Sequence, residues 1–193
     1  NVINLGDGTN SLKGSTAGDI STAAAGNITV TGGAGVDTIE LYNGNNVIST
    51  LAGNDIIKVG TGNNTISAGD GNDQVTVGTG LNVVSLGAGA DTLTLSTAST
   101  NYNIYTTVTD IAVGDSIDFS ALTTVARADG ALGAKISLAN TATFADYVNT
   151  ACSTVISDAA ASLAKWFQYN GDTYLVIDST TAADAPDDNN VFK

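Results

Sequence analysis

Five aspartates, Asp19, Asp37, Asp55, Asp73 and Asp91, recur at a fixed interval of eighteen residues. On the half-interval of nine stand Asn10, Asn46, Asn64 and Asn82, and Ile28 is the one break in that series. A period this strict describes stacked coils, in which each repeat buries its apolar face only against its neighbours. If two nine-residue units make one coil, the aspartates fall on one edge of the stack and the asparagines on the other. Successive coils lie about 4.8 Å apart. Carboxylates stacked near that distance repel by about 1 kcal/mol in water and by about 3–4 kcal/mol at an effective dielectric of 20. A cation between them removes that cost. The asparagine edge needs none, because stacked amides hydrogen-bond to one another.

The elements that position these side chains are legible from the same clock. With Asp or Asn as the sixth place of each unit, the fourth place is Gly35, Gly44, Gly53, Gly62, Gly71, Gly80 and Gly89. The second place is Gly33, Tyr42, Leu51, Gly60, Gly69, Gly78 and Gly87. Such glycines predict a tight turn with positive φ and uncovered carbonyl oxygens. Two residues after the Asp or Asn come Ile39, Ile48, Ile57, Ile66, Val75, Val84 and Leu93, and two further on Leu41, Thr50, Val59, Ala68, Val77, Leu86 and Leu95. Apolar residues two apart predict a short strand with one buried face. Calcium takes six to eight oxygens, carboxylates and backbone carbonyls among them. The expected ligands are therefore Asp19, Asp37, Asp55, Asp73 and Asp91 with the turn carbonyls at Gly33, Gly35, Gly53, Gly69, Gly71, Gly87 and Gly89. Five aspartates leave four gaps, hence about four Ca2+ ions. The Asp19 turn has its glycine displaced, which makes that end the poorest site. Asp110 lies one residue past the next place in the column and is a candidate to close the last one. Plain turn capping by Asp explains the residue type but not why every Asp falls on one edge.

The pattern G-G-x-G-x-D-x-U-x, seen best in GGAGVDTIE from Gly32 and AGDGNDQVT from Ala68, resembles the calcium-binding nonapeptide of RTX proteins. The resemblance implies a parallel β-roll that folds on calcium and a bacterial protein exported by type I secretion to the cell exterior. The segment TDIAVGDSIDFSAL, Thr109 to Leu122, is similar to the segment that follows the roll in serralysin-type RTX proteins, with Phe119 where Leu is common. In that segment Asp110, Asp115 and Asp118 read first as turn formers. The sequence KWFQYNGDTYLVID from Lys165 resembles the last strands of RTX-type surface-layer proteins and adhesins.

Composition sets the outer limits. The chain has 193 residues and a net charge of −13, and eighteen of its nineteen acids are Asp, with Glu40 the exception. Such a surface repels nucleic acid and attracts divalent cations; four of them would leave roughly −5. With no histidine, histidine triads and ordinary zinc sites are excluded. Cys152 is alone and makes no internal disulfide. No apolar run has the length of a membrane span. The expected organisation is a β-roll over 1–105 and an α+β capping region over 106–193. In the second part, Tyr102 and Ile104 fit one last roll strand, and residues 135–138 a further strand. Residues 143–165 have helical spacing, and Trp166–Tyr169 with Thr173–Asp178 form a hairpin around Asn-Gly-Asp. The aromatics there read as core, and residues 180–190 as loosely ordered. On the outer faces, Glu40 and Lys58 should be neighbours, and Val47, Thr65 and Val83 a partly apolar column. No catalytic constellation is present, so no enzyme activity is expected. The leading expectation is the calcium-binding structural part of a surface-layer protein that self-associates outside the cell; the alternative is an accessory domain of a type I-secreted protease, lipase or adhesin.

Overall fold

A computed structural model describes residues 2–13, 27–96, 105–118, 132–136, 138, 141–143, 146–147, 164–170, 172–178 and 189–192. Alternating side chains after each turn leave strands of two to six residues: β1 (Val2–Asn4), β2 (Asn10–Lys13), β3 (Thr29–Thr31), β4 (Asp37–Glu40), β5 (Val47–Ser49) and β6 (Ile56–Lys58). The series continues with β7 (Thr65–Asp70), β8 (Gln74–Val77), β9 (Val83–Ala88), β10 (Thr92–Leu95), β11 (Thr107–Val108) and β12 (Ser116–Asp118). Each turn sends the chain to the opposite sheet, so a strand pairs with the one two places on and the pairing is parallel. One six-stranded sheet runs β1-β3-β5-β7-β9-β11 and the other β12-β10-β8-β6-β4-β2. These are the stacked coils expected from the nine-residue clock, in the form of the parallel β-roll that the resemblance implies.

Between the sheets the inward places close into one core. Val30, Ile48, Ile66, Val84 and Leu86 come from one sheet, and Ile39, Ile57, Val75, Val77 and Leu93 from the other; each is at most 2% exposed. Outward, Glu40 and Lys58 are register partners. The column Thr29, Val47, Thr65, Val83, Thr107 runs along the other face, with Val47 and Val83 almost half exposed.

At both ends the eighteen-residue offset changes. β1 pairs with β3 and β2 with β4 at an offset of 27, so that Asn10 is the register partner of Asp37. Asn10 therefore stands on the aspartate edge, not on the asparagine edge where counting by nine puts it. The physical reason is that Asp and Asn turns share one backbone: Gly6-Asp7-Gly8-Thr9-Asn10 docks against Gly33–Asp37 as well as a repeat would. At the far end β11 and β12 join the sheets at offsets of 24 from β9 and β10. The roll strands thus continue past residue 105, while Tyr102 and Ile104 lie outside the described residues.

Contacts within the chain divide it into two units, residues 1–97 with 106–121, and residues 98–105 with 122–193. The second unit holds a four-stranded sheet, β13 (Leu132–Ile136), β14 (Ala164–Tyr169), β15 (Asp172–Asp178) and β16 (Asn189–Phe192), in that order. β14 and β15 form the expected hairpin, with Asn170 at φ 52 in the tight turn. Phe167 and Tyr174 are buried and stacked at 5.2 Å, and Tyr147 stacks on Phe167 at 4.9 Å, so these aromatics are core. The helix expected over 143–165 does not reach its stated end: Ala164 and Lys165 belong to β14, where they pair with Ile177 and Val176, and the other described residues of that span are 143, 146 and 147. Thr143 and Asp146 cap each other there, the Thr143 N–H donating to Asp146 Oδ2 at 2.8 Å and the Asp146 N–H to Thr143 Oγ1 at 3.3 Å. Asn189 and Asn190 lie in β16, because Val191 and Phe192 pair with Val176 and Leu175. Cys152 lies outside the described residues.

Candidate metal centre

The asparagine edge shows what the turn geometry asks of its sixth side chain. The Asn46 N–H and the Asn64 N–H donate to the Oδ1 of Asn64 and Asn82, each at 3.1 Å. Each Nδ2 donates twice: to the next Oδ1 at 2.9 Å, and to the carbonyl of its own fourth-place glycine, Gly44 at 3.2 Å or Gly62 at 3.0 Å. Every polar atom of the amide is used. The ladder is neutral and complete.

The aspartate edge repeats the first half of that scheme. The N–H groups of Asp37, Asp55 and Asp73 donate to the Oδ1 of Asp55, Asp73 and Asp91 at 2.7, 2.8 and 2.8 Å. The second half fails. Where Asn carries an NH2, Asp carries Oδ2, an acceptor. The Oδ2 atoms of Asp55, Asp73 and Asp91 are buried with no hydrogen-bond partner, and the three residues are at most 1% exposed. A buried unpaired carboxylate oxygen is costly unless a cation reaches it. The charge is correspondingly hard to hold: burial raises the pKa of all three, to about 6 for Asp73, where Asp55 and Asp91 add repulsion.

The donor set fits calcium. Each gap between coils offers two stacked carboxylates and turn carbonyls, all hard oxygens, with no nitrogen or sulfur. Among the described residues no three acidic side chains converge, so carbonyls must supply much of the coordination. Of the seven ligand glycines expected, Gly35, Gly53, Gly69, Gly71, Gly87 and Gly89 have positive φ, as a carbonyl-exposing turn requires, and Gly33 is not among them. The fourth-place glycines also stack directly: a Cβ on Gly53 would fall on the Gly35 carbonyl, and one on Gly71 on the Gly53 carbonyl. Asp19 lies outside the described residues, and its place beside Asp37 is held by Asn10. Asn10 closes that end with an amide, donating from Nδ2 to Asp37 Oδ1 at 2.9 Å and to the Gly6 and Gly8 carbonyls at 3.0 Å each.

The calcium-binding nonapeptide repeat family of RTX proteins matches this chain in four copies, over residues 13–48, 22–57, 49–84 and 59–93. Residues 13–93 are an RTX calcium-binding repeat array. No curated protein matches the chain. RTX repeats bind calcium and are typical of extracellular proteins exported by type I secretion. In this RTX roll one edge carries stacked carboxylates and the other stacked amides.

Three features of the roll escape the spacing argument. The fifth-place asparagines form a second, outer ladder: the Asn72 N–H donates to Asn54 Oδ1 at 2.8 Å and the Ala90 N–H to Asn72 Oδ1 at 2.9 Å. Thr50, fully buried in the first turn place, donates to the Ala68 carbonyl at 2.6 Å. Asp115, not Asp110, takes the next place in the column, its Oδ1 accepting from the Asp91 N–H at 3.1 Å. The signal for it was present in Asp115-Ser116-Ile117, the same D-x-U step as Asp91-Thr92-Leu93. Asp110 instead caps the end of β9, accepting from the Ser85 hydroxyl at 2.6 Å and from the Leu86 and Gly87 N–H groups at 2.8 and 3.1 Å.

Proposed function

We propose that this chain is the calcium-dependent structural part of a bacterial surface-layer protein, folding and self-associating outside the cell, and that it has no catalytic role of its own. The observation that carries the calcium reading is the pair of edges. One turn geometry is satisfied by amides on one side and left with buried, unpaired Asp55, Asp73 and Asp91 Oδ2 atoms on the other. Within the repeats the ions belong in the gaps Asp37/Asp55, Asp55/Asp73 and Asp73/Asp91. The first is the weakest, because the Gly33 N–H already reaches Asp37 Oδ2 at 3.3 Å. Three ions, rather than four, follow from Asn10 standing where Asp19 was expected. When bound, each supplies a charge that holds two coils together.

Support for an assembly role comes from the roll's outward face. Thr29, Val47, Thr65, Val83 and Thr107 make an uncharged column on a chain of net charge −13, and this favours contact with another protein surface. The accessory-domain reading shares the roll but not the self-association. The test is circular dichroism and light scattering of the chain during calcium titration in the millimolar range. The expected outcome is a cooperative gain of β-structure followed by growth of assemblies, neither restored by magnesium, whose tight octahedron fits carbonyl-rich turns poorly. Spectra indifferent to chelator overturn the calcium reading. A calcium-folded chain that stays monomeric favours the accessory domain. Turnover in protease, lipase or glycosidase assays that vanishes in a single-residue variant overturns the non-catalytic reading.

A further inference from the structure

Beyond the repeats, the chain completes one more place on the aspartate edge. Asp115 comes 24 residues after Asp91, and the six extra residues leave the register intact: β12 pairs with β10 through Thr92 with Ser116, Leu93 with Ile117 and Thr94 with Asp118. The Asp91 N–H meets Asp115 Oδ1 as each N–H in the column meets the next carboxylate.

The ends of the two edges differ in one respect. The asparagine edge finishes on a hydroxyl, with Asn82 Nδ2 donating to Thr106 Oγ1 at 3.3 Å. The aspartate edge begins on an amide, with Asn10 donating to Asp37. At its other end it meets carboxylate with carboxylate. Asp91 is 1% exposed, its Oδ2 has no hydrogen-bond partner, and its own N–H donates to the Asp115 carboxylate. Asp110 adds to the negative field there, while its own carboxylate is turned to β9, accepting from Ser85, Leu86 and Gly87. Asp115 is steadied in turn by the Ala112 N–H, which donates to its Oδ2 at 2.8 Å.

We propose that a calcium ion binds between Asp91 and Asp115, one coil beyond the nonapeptide repeats, and fastens β11 and β12 to the end of the roll. The two carboxylates and the carbonyls of the turns at 87–91 and 111–115 provide its oxygens. This rests on the calcium reading of the repeat edge and adds a site that no repeat encodes.

Native mass spectrometry of the calcium-loaded full chain tests both readings separately. Asp115→Asn should carry one ion fewer than the unaltered chain while its β-sheet circular dichroism in calcium stays the same. An unchanged ion count in a folded Asp115→Asn chain overturns the terminal site and leaves the repeat sites standing. An unaltered chain that binds no calcium overturns the repeat reading itself. If the variant does not fold, anomalous diffraction from calcium-loaded crystals of the unaltered chain decides: a peak between Asp91 and Asp115 supports the site, and peaks confined to the gaps among Asp37, Asp55, Asp73 and Asp91 overturn it.

Discussion

At the scale of single residues, the difference between the edges is one atom, oxygen or nitrogen, and it sets opposite responses to substitution. Asp73→Asn places an NH2 where a buried oxygen has no partner, with Asp91 Oδ1 as its natural acceptor. In chelator this variant should be more stable than the parent by about 1–3 kcal/mol, the usual cost of an unsatisfied buried group. In calcium it should bind fewer ions and lose that advantage; paired urea titrations with and without calcium measure both. Asn64→Asp does the reverse, turning the donor to Asn82 Oδ1 and the Gly62 carbonyl into an acceptor. It should destabilise the roll by a similar amount without adding a tight site. Acidity acts on the same oxygens. Burial raises Asp55, Asp73 and Asp91 above their unfolded value of 3.8, Asp73 to about 6. The folded roll thus holds these protons more tightly than the unfolded chain does. The metal-free roll should be most stable below about pH 4 and lose stability as pH rises through 6. Thermal melts in chelator from pH 4 to pH 8 check this, and a metal-free roll that melts higher at pH 8 contradicts it.

At the scale of the element, the turn constrains sequence through contact and through backbone conformation. Gly71 has φ 136, and a Cβ there would fall on the backbone carbonyl of Gly53, whereas Gly8 has φ 99 and open space around it. Both alanine variants carry backbone strain of about 1–3 kcal/mol. Gly71→Ala should cost clearly more than Gly8→Ala, since only its carbonyl neighbour must move; denaturant midpoints compare them. Leu51 shows that the second place tolerates a side chain at a price: its φ is 73 in the turn where Gly69 and Gly87 stand elsewhere. Leu51→Gly should gain about 1 kcal/mol, since Leu51 is 51% exposed and little packing is lost. These elements were the most legible part of the sequence. Strands, turns and the two edges follow from period alone, because every coil meets the same neighbours. The ends were not, because period says nothing once a coil lacks a neighbour. Counting by nine put Asn10 on the wrong edge, and it passed over Asp115 because an insertion of six breaks the count while sheet pairing restores it. The β14–β15 hairpin was legible from Asn170 and Gly171, local turn formers that need no distant partner.

At the scale of the molecule, the roll is a lattice one coil wide, and its parity has a consequence for how such a chain lengthens. One nonapeptide carries the chain from one edge to the other; two bring it back. Deleting residues 60–77 should leave a shorter, folded roll with one ion fewer. Deleting only residues 60–68 would move every downstream Asp onto the amide edge, and mass spectrometry with circular dichroism should show most calcium binding lost. The amino-terminal end already records this arithmetic: its offset of 27 is one coil plus one nonapeptide, yet Asn10 still stands beside Asp37 on the aspartate edge. Gene duplications in such an array are therefore filtered in pairs. An even copy number propagates the charged edge, and an odd one survives only when the surplus unit is left out of the stack.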